Sequence, residues 1–328
     1  MCEHKGKPRK SREVRAASAS RLLLIPIMMT FCAMCFAQDQ PIASDALLDN
    51  RGQGFYLNAK PYIYDSLPQL KKEVHELRGL HPAVSQKPLP MILSQTGSHL
   101  KSMVASLPNL VAMEDVIQFR AANNGSGEER IRSRYDYLIL VYLDGQEPGF
   151  EERRTAFNGR HTNQAGLEEG FIVTTGFATI WRYLLPSIQP ESRFRYLGRQ
   201  QVNKTPTYVV GFAQRPGWAM TVMDFMGSQK TTVCLVQGVA WIETSSFRII
   251  RLRTDLLAPR PDVGLQKMTT IVNFGAARIA QVPSPLWLPV KAEVEVHDGG
   301  YSFKNIHRYS RYQLFRSQVH FLPPSGKP

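Results

Sequence analysis

Hydrophobic spacing divides this chain into a short helical part and a long β part. Leu67, Leu70, Val74 and Leu77 recur at spacings of three and four, with Lys71, Lys72, Glu73 and Glu76 between them. That is one apolar face of a helix. Ser66 stands at the N-cap position, and Gly79 follows as a C-terminal signal. Pro82, Pro88 and Pro90 interrupt the chain, and a second helix is predicted over about Ile92 to Leu107, with Leu100, Met103, Val104 and Leu107 on one face. From Leu110 the pattern changes to alternation. LVAMEDVIQFR and RYDYLILVYLDG read as two strands of a long hairpin, with Tyr135, Tyr137, Ile139 and Val141 sharing a face. GFEERRTAFNGR is more polar and reads as an edge or solvated strand. A third helix is predicted where Phe177, Ile180, Trp181, Leu184 and Leu185 fall on one face, capped by Thr174 or Thr175 and stopped by Pro186.

The remainder is strand after strand. FRYLGRQQV pairs with TYVVGFAQR across Asn203 to Pro206. WAMTVMDFM, TTVCLVQGVAWIE, FRIIRLRTDLL, KMTTIVNFGAARIA, LWLPVKAEVEVHD and YSFKNIHRYSRYQLF follow, the last two joined at Asp298-Gly299-Gly300. Short turns between consecutive strands imply antiparallel pairing. The fold class this predicts is α+β, mainly β: a large curved antiparallel sheet, an incomplete barrel, with the amino-terminal helices and the Phe177 helix on its concave side. Residues 38–109 form an amino-terminal extension with helices, 110–316 the β domain and 317–328 a tail.

The amino terminus changes the charge picture. Residues 1–21 hold seven basic and two acidic side chains, and Leu22 to Ala37 is an uncharged run of 16 residues containing Pro26. This is the layout of a signal peptide over residues 1–37. The run falls short of the roughly 20 residues that span a bilayer, with an uncleaved anchor as the alternative. Cleavage lowers the net charge from +13 to +8. The remaining basic residues form no dense tract, which argues against nucleic acid and leaves only loose, peripheral association with anionic membrane surfaces. A periplasmic or secreted location in a bacterial cell envelope follows. Cys2, Cys32 and Cys35 lie in the targeting segment, so Cys234 stands alone, either a reactive thiol or a small buried apolar residue.

No G-x-S-x-G, G-x-G-x-x-G or phosphate loop is present, so no catalytic residue and no cofactor is assigned. His75-Glu76 lacks the second histidine of a zinc motif, since position 79 is Gly79. His297 and His307 flank the last hairpin; near-opposite across it they would need a third ligand to hold a metal, and otherwise they are surface residues. Glu151-Glu152 and Glu168-Glu169 are acidic pairs in polar segments. The aromatics Trp181, Phe212, Phe225, Trp241 and Trp287 lie in apolar surroundings, and Tyr208, Val210 and Phe212 share a strand face. They pack a core, or they line an apolar cavity between sheet and helices. On the second reading Trp181, Tyr208, Val210, Phe212, Phe225 and Trp241 are the cavity candidates.

GVAWIETSSFRIIRLRTDLL, residues 238–257, has a strand ending Trp-Ile-Glu, a tight turn and a strand beginning Phe-Arg-Ile-Ile-Arg. With YLGRQQVNKTPTYVVGFAQ, residues 196–214, it resembles the bacterial outer-membrane lipoprotein carrier superfamily, LolA/LolB-like, and more closely a group of secreted bacterial proteins. The family's acidic and basic positions around this hairpin are Glu243 and Arg251 here. The resemblance spans roughly residues 90–316. It implies an incomplete antiparallel barrel over helices, with an apolar cavity for acyl chains. The function implied is non-enzymatic binding of a lipid, acyl chain or lipoprotein; the alternatives are an interaction module for an envelope protein partner, or a hydrolase with an unrecognised site.

Overall fold

A computed structural model describes residues 50–122, 127–144, 147–158, 160–161, 176–226 and 231–315. The signal segment, Thr174, Thr175, Glu168-Glu169 and the 317–328 tail lie outside the described residues. The described residues build a large open antiparallel sheet of 12 strands, in the order β1-β6-β7-β10-β11-β12-β13-β14-β2-β3-β4-β5. The strands are β1 (His81–Pro82), β2 (Leu110–Ala122), β3 (Glu128–Asp144), β4 (Glu147–Phe157), β5 (Arg160–His161), β6 (Ser192–Val202), β7 (Thr205–Gln214), β10 (Val236–Glu243), β11 (Ile249–Leu256), β12 (Leu265–Ala277), β13 (Leu286–Asp298) and β14 (Tyr301–Leu314). The mainly-β class and the antiparallel neighbours follow the alternation in the sequence. The last strand also pairs with the first long one, Ile306 opposite Ile117 and Tyr309 opposite Glu114, which no local turn signals.

Among the described residues three α-helices accompany the sheet, α1 (Asn50–Leu57), α2 (Leu67–Glu73) and α3 (Leu89–Ser106). Ser66 caps α2 as expected, its hydroxyl accepting from the Gln69 amide. The helices do not share one side of the sheet. Leu70, Val74 and Leu77 join Leu197, Val209, Val239 and Trp241 in one core, whereas Ile92, Leu100 and Val104 of α3 join Val210, Phe212, Ala240 and Leu252 in the other. The reason is legible in β10, where Val236 to Ile242 are all buried: a strand apolar on both faces needs cover on both. We call the α3 side the inner face.

Two further expectations are corrected. The Phe177 segment is a 3₁₀ turn over Ile180–Leu184, not an α-helix. The amides of Ala178 and Thr179 are held by the Glu152 carboxylate, and Pro186 follows at once. The runs WAMTVMDFM and TTVCLVQGVAWIE do not form continuous strands. Within them β8 (Met223–Met226) and β9 (Thr231–Cys234) pair as a separate ribbon, and Leu235 divides β9 from β10.

The β6 edge is closed by the extension. Gln86 uses its amide like a strand residue, accepting from Tyr196 N and donating to Tyr196 O, both at 2.8 Å. Across the sheet, Gly238 lets the Phe212 ring lie over β10: a Cβ there would overlap that ring and the Arg253 carbonyl oxygen. Gly238→Val should therefore cost about 2–4 kcal/mol by overpacking. Urea denaturation checks this; an unchanged midpoint would show that the ring swings away freely.

Candidate ligand site

The structure separates the six sequence candidates. Trp181, Val210, Phe212 and Phe225 are buried in the inner-face core. Phe212 stacks on Tyr183 with centroids 5.7 Å apart, and Trp181 meets Phe150 edge-on at 5.5 Å. Tyr208 is half-buried at the margin of that core. Trp241 is on the opposite face, its Nε1 donating to Gln200 Oε1 at 2.9 Å. The backbone of the sheet lies between it and the other five, because strand neighbours alternate faces.

Around Tyr208 the strand ends form an apolar rim. Phe247 stacks on Tyr208 at 6.1 Å and 19°, and Tyr196 meets it edge-on at 6.1 Å. Phe247 has φ of 58°, a conformation unusual for a bulky residue. The turn holds it there: Glu243 N donates to Arg248 O, Phe247 N donates to Glu243 O, and the Arg248 guanidinium pairs with Glu243 at 3.0 Å. Arg248 also covers the Trp287 ring at 4.5 Å, and Trp287 Nε1 donates to Ile249 O at 2.7 Å. Phe247 and Leu286 are half-buried beside the inner core, and Trp287 is half-buried against both cores. Of the two positions that carry the resemblance, Glu243 pairs with Arg248, and Arg251 Nε donates to Asn273 Oδ1.

Sequence reasoning missed a buried charge cluster on β2, β4 and β14. Glu114 is fully buried and accepts from Arg154 Nε and Nη2, at 2.7 and 2.9 Å. His307 Nδ1 lies 2.8 Å from Glu114 Oε1, and the Tyr309 hydroxyl donates to the same oxygen at 2.8 Å. The available signal was a polar interruption in an apolar alternation: Leu110, Ala112, Glu114, Val116 and Gln118 share the buried face of β2. Arg154 sits in the strand read as solvated, yet it is buried. His307 is not opposite His297; Ala292 faces it across β13, and His297 faces Ser302. Nor is it a surface residue, since only 1% of it is exposed.

Burial alone would raise the Glu114 carboxyl, but Arg154 and His307 hold it down at about 2. Burial lowers His307, against the pull of Glu114. The ionised carboxylate therefore accepts from Nδ1–H, and Nε2 carries the lone pair. Next to this cluster, Tyr137 donates to Glu152 at 2.5 Å, and Glu152 also accepts from Ala178 N, Thr179 N and the Thr179 hydroxyl. That places the Phe177 ring 4.8 Å from the His307 ring.

Cys234 is a buried apolar residue, its thiol pushed up to about 11, chiefly by desolvation. Glu76 is engaged by Arg253 at 2.7 Å. Among the described residues, no group of three His, Cys, Asp or Glu could hold a metal, and no helix is long and apolar enough to cross a membrane.

No family model matches the chain, and no curated protein does. The chain is similar to three solved structures. One is a DUF1329 family protein from Desulfovibrio piger, at 10% identity over 71% of this chain and 95% of that one, TM-score 0.33. Another is a LolA superfamily protein from Nitrosomonas europaea, at 12% identity over 72% and 96%, TM-score 0.28. The third is described as an outer membrane lipoprotein-sorting protein domain from Vibrio parahaemolyticus, at 11% identity over 67% and 90%, TM-score 0.32. The second carries the name of the superfamily that the 238–257 hairpin resembles. At such TM-scores the likeness leaves function to the chemistry of the site itself.

Two expected outcomes follow from the packing and the charges. Trp181→Ala should destabilise by about 3–5 kcal/mol, the usual cost of truncating a buried large aromatic; an unchanged melting temperature would contradict its burial. The pH dependence has a definite sign. His307 and Glu114 both bind protons less readily when folded, so each contributes stability that is lost on acidification. Stability should begin to fall below about pH 6.5, where unfolded histidine takes up protons, and fall further from about pH 4.3 towards 2 as unfolded glutamate does. In His307→Asn the first of these losses should shrink. Melting curves across pH 8 to 3 test this, and identical profiles for both proteins would refute it.

Proposed function

We propose that this chain is an exported, non-enzymatic protein that binds an apolar ligand, a lipid or acyl chain, at the inner face of its sheet. The observation that supports it most is the rim of Tyr208, Phe247, Leu286 and Trp287. Two aromatic rings and a leucine stay partly exposed at the margin of the inner core, with one ring held in a strained turn, and Trp287 beside them reaches both cores. Of the sequence candidates, Tyr208 stands at the mouth, and Trp181, Val210, Phe212 and Phe225 form the wall behind it. Trp241 has no part in the site.

Each buried methylene contributes about 0.8 kcal/mol, so shortening an acyl chain by two should weaken binding roughly tenfold. Titration of the delipidated protein with fluorescent dodecanoyl and decanoyl probes measures that ratio. Tyr208→Glu, at a half-exposed position, should abolish binding while the protein remains folded by circular dichroism. Absence of saturable binding, or an affinity independent of chain length, would overturn the proposal.

A further inference from the structure

The inner face is not uniform. Across β12 and β13 it is apolar, with Val272, Ala292, Val294 and Val296 buried. Across β2, β3 and β14 it is polar. Val116 lies between Ser133 on one neighbour and His307 on the other, and one step along, Gln118 lies opposite Asn305. Gln118, Ser133, Asn305 and His307 are each at most 2% exposed. Ser133 Oγ and His307 Nε2 make no hydrogen bond. An unmet hydrogen-bonding group in such a place costs about 1–3 kcal/mol, and two on one patch mark a place that a polar partner would fill.

The chemistry of that partner is constrained. His307 Nδ1 is committed to Glu114, so Nε2 can only accept, and it requires an O–H or N–H. The Ser133 hydroxyl donates or accepts. Glu114 is matched by Arg154 and Glu129 by Arg120, and the neighbouring Glu152 accepts from Tyr137 and the Ala178 and Thr179 amides, so the cations Arg154 and Arg120 are already engaged and an anionic group would enter beside three carboxylates. Ser133 and His307 lie two strand spacings apart, about 10 Å between backbones. One hydroxyl cannot reach both, whereas a group carrying several can.

We infer that the inner face of β2, β3 and β14 binds the uncharged, hydroxyl-rich headgroup of an amphiphile, a polyol such as a sugar, whose tail lies along the apolar sector. This rests on the apolar-ligand reading above. His307 Nε2 accepts from one hydroxyl, Ser133 bonds another, and Phe177, held by the Glu152-bound turn, covers the site.

The experiment uses competition against the fluorescent dodecanoyl probe on the delipidated full chain, with dodecyl maltoside and dodecyl sulfate as competitors below their micelle concentrations. The tails are identical, so any difference is the headgroup. Maltoside should bind at least tenfold more tightly than sulfate. Ser133→Ala and His307→Asn should each remove about tenfold of that preference, the worth of a good hydrogen bond, and leave dodecanoyl affinity unchanged. Ser133→Ala removes an atom with no partner, so its melting temperature should hold or rise, and it carries the test by itself if His307→Asn fails to fold. Equal affinities for the two detergents, or a preference that persists in Ser133→Ala, overturns the headgroup site and leaves the apolar-ligand proposal standing. No binding of either detergent or the dodecanoyl probe overturns both.

Discussion

The buried Glu114 carboxylate ties the two ends of the β domain together. Its partners come from β4, through Arg154, and from β14, through His307 and Tyr309. A carboxylate carried from water into a protein interior costs several kcal/mol unless its hydrogen bonds are met. Here the compensation exists in only one arrangement. A one-residue slip of β14 against β2 would turn His307 and Tyr309 to the opposite face and strand the charge. The ion pair is thus better read as fixing register than as adding stability. The register it fixes is the one that no turn dictates, between the first long strand and the last.

A second network does the same for the extension. Arg253 on β11 reaches Glu76 at 2.7 Å and both oxygens of Asp255, and Tyr62 donates to Asp255 at 3.2 Å. The Tyr62 amide donates to Gln237 on β10. These bonds lie on the face away from α3, around the apolar contacts of Leu70, Val74 and Leu77. One cover therefore serves each side of the two-sided strands. Residues 50–80 form an integral layer of the fold, and residues 81–86 directly after them close the β6 edge that would otherwise present unpaired amides.

The inner face combines features that a simple core does not need. Half-exposed aromatic rings stand at one margin, and buried hydrogen-bonding atoms without partners lie farther along the sheet. Between them runs an apolar floor. A core optimised only for stability would cover the first and avoid the second. Local departures of this kind are where sequences give up stability for a site.

Much of this architecture was legible in the residues. Alternation located nearly every strand, Ser66 located the start of α2, and helical spacing from Ile92 to Leu107 located α3. Alternation also placed Tyr208, Val210 and Phe212 on one face. These are local properties, set by side-chain period and by caps within a few residues. What the residues could not say was where an element lands. α2 and α3 each carry an apolar face, and only packing sends them to opposite sides of the sheet. The Phe177 segment has helical spacing, but a carboxylate 25 residues earlier takes its amides and leaves a 3₁₀ turn. Trp241 and Phe212 read alike, yet the sheet stands between them. Arg154 reads as a surface charge and His307 as a hairpin residue, because their shared partner Glu114 is 40 and 193 positions away. Periodicity is local and is written in sequence order. The burial of a charge depends on which strands become neighbours, and that was decided only when β14 closed onto β2.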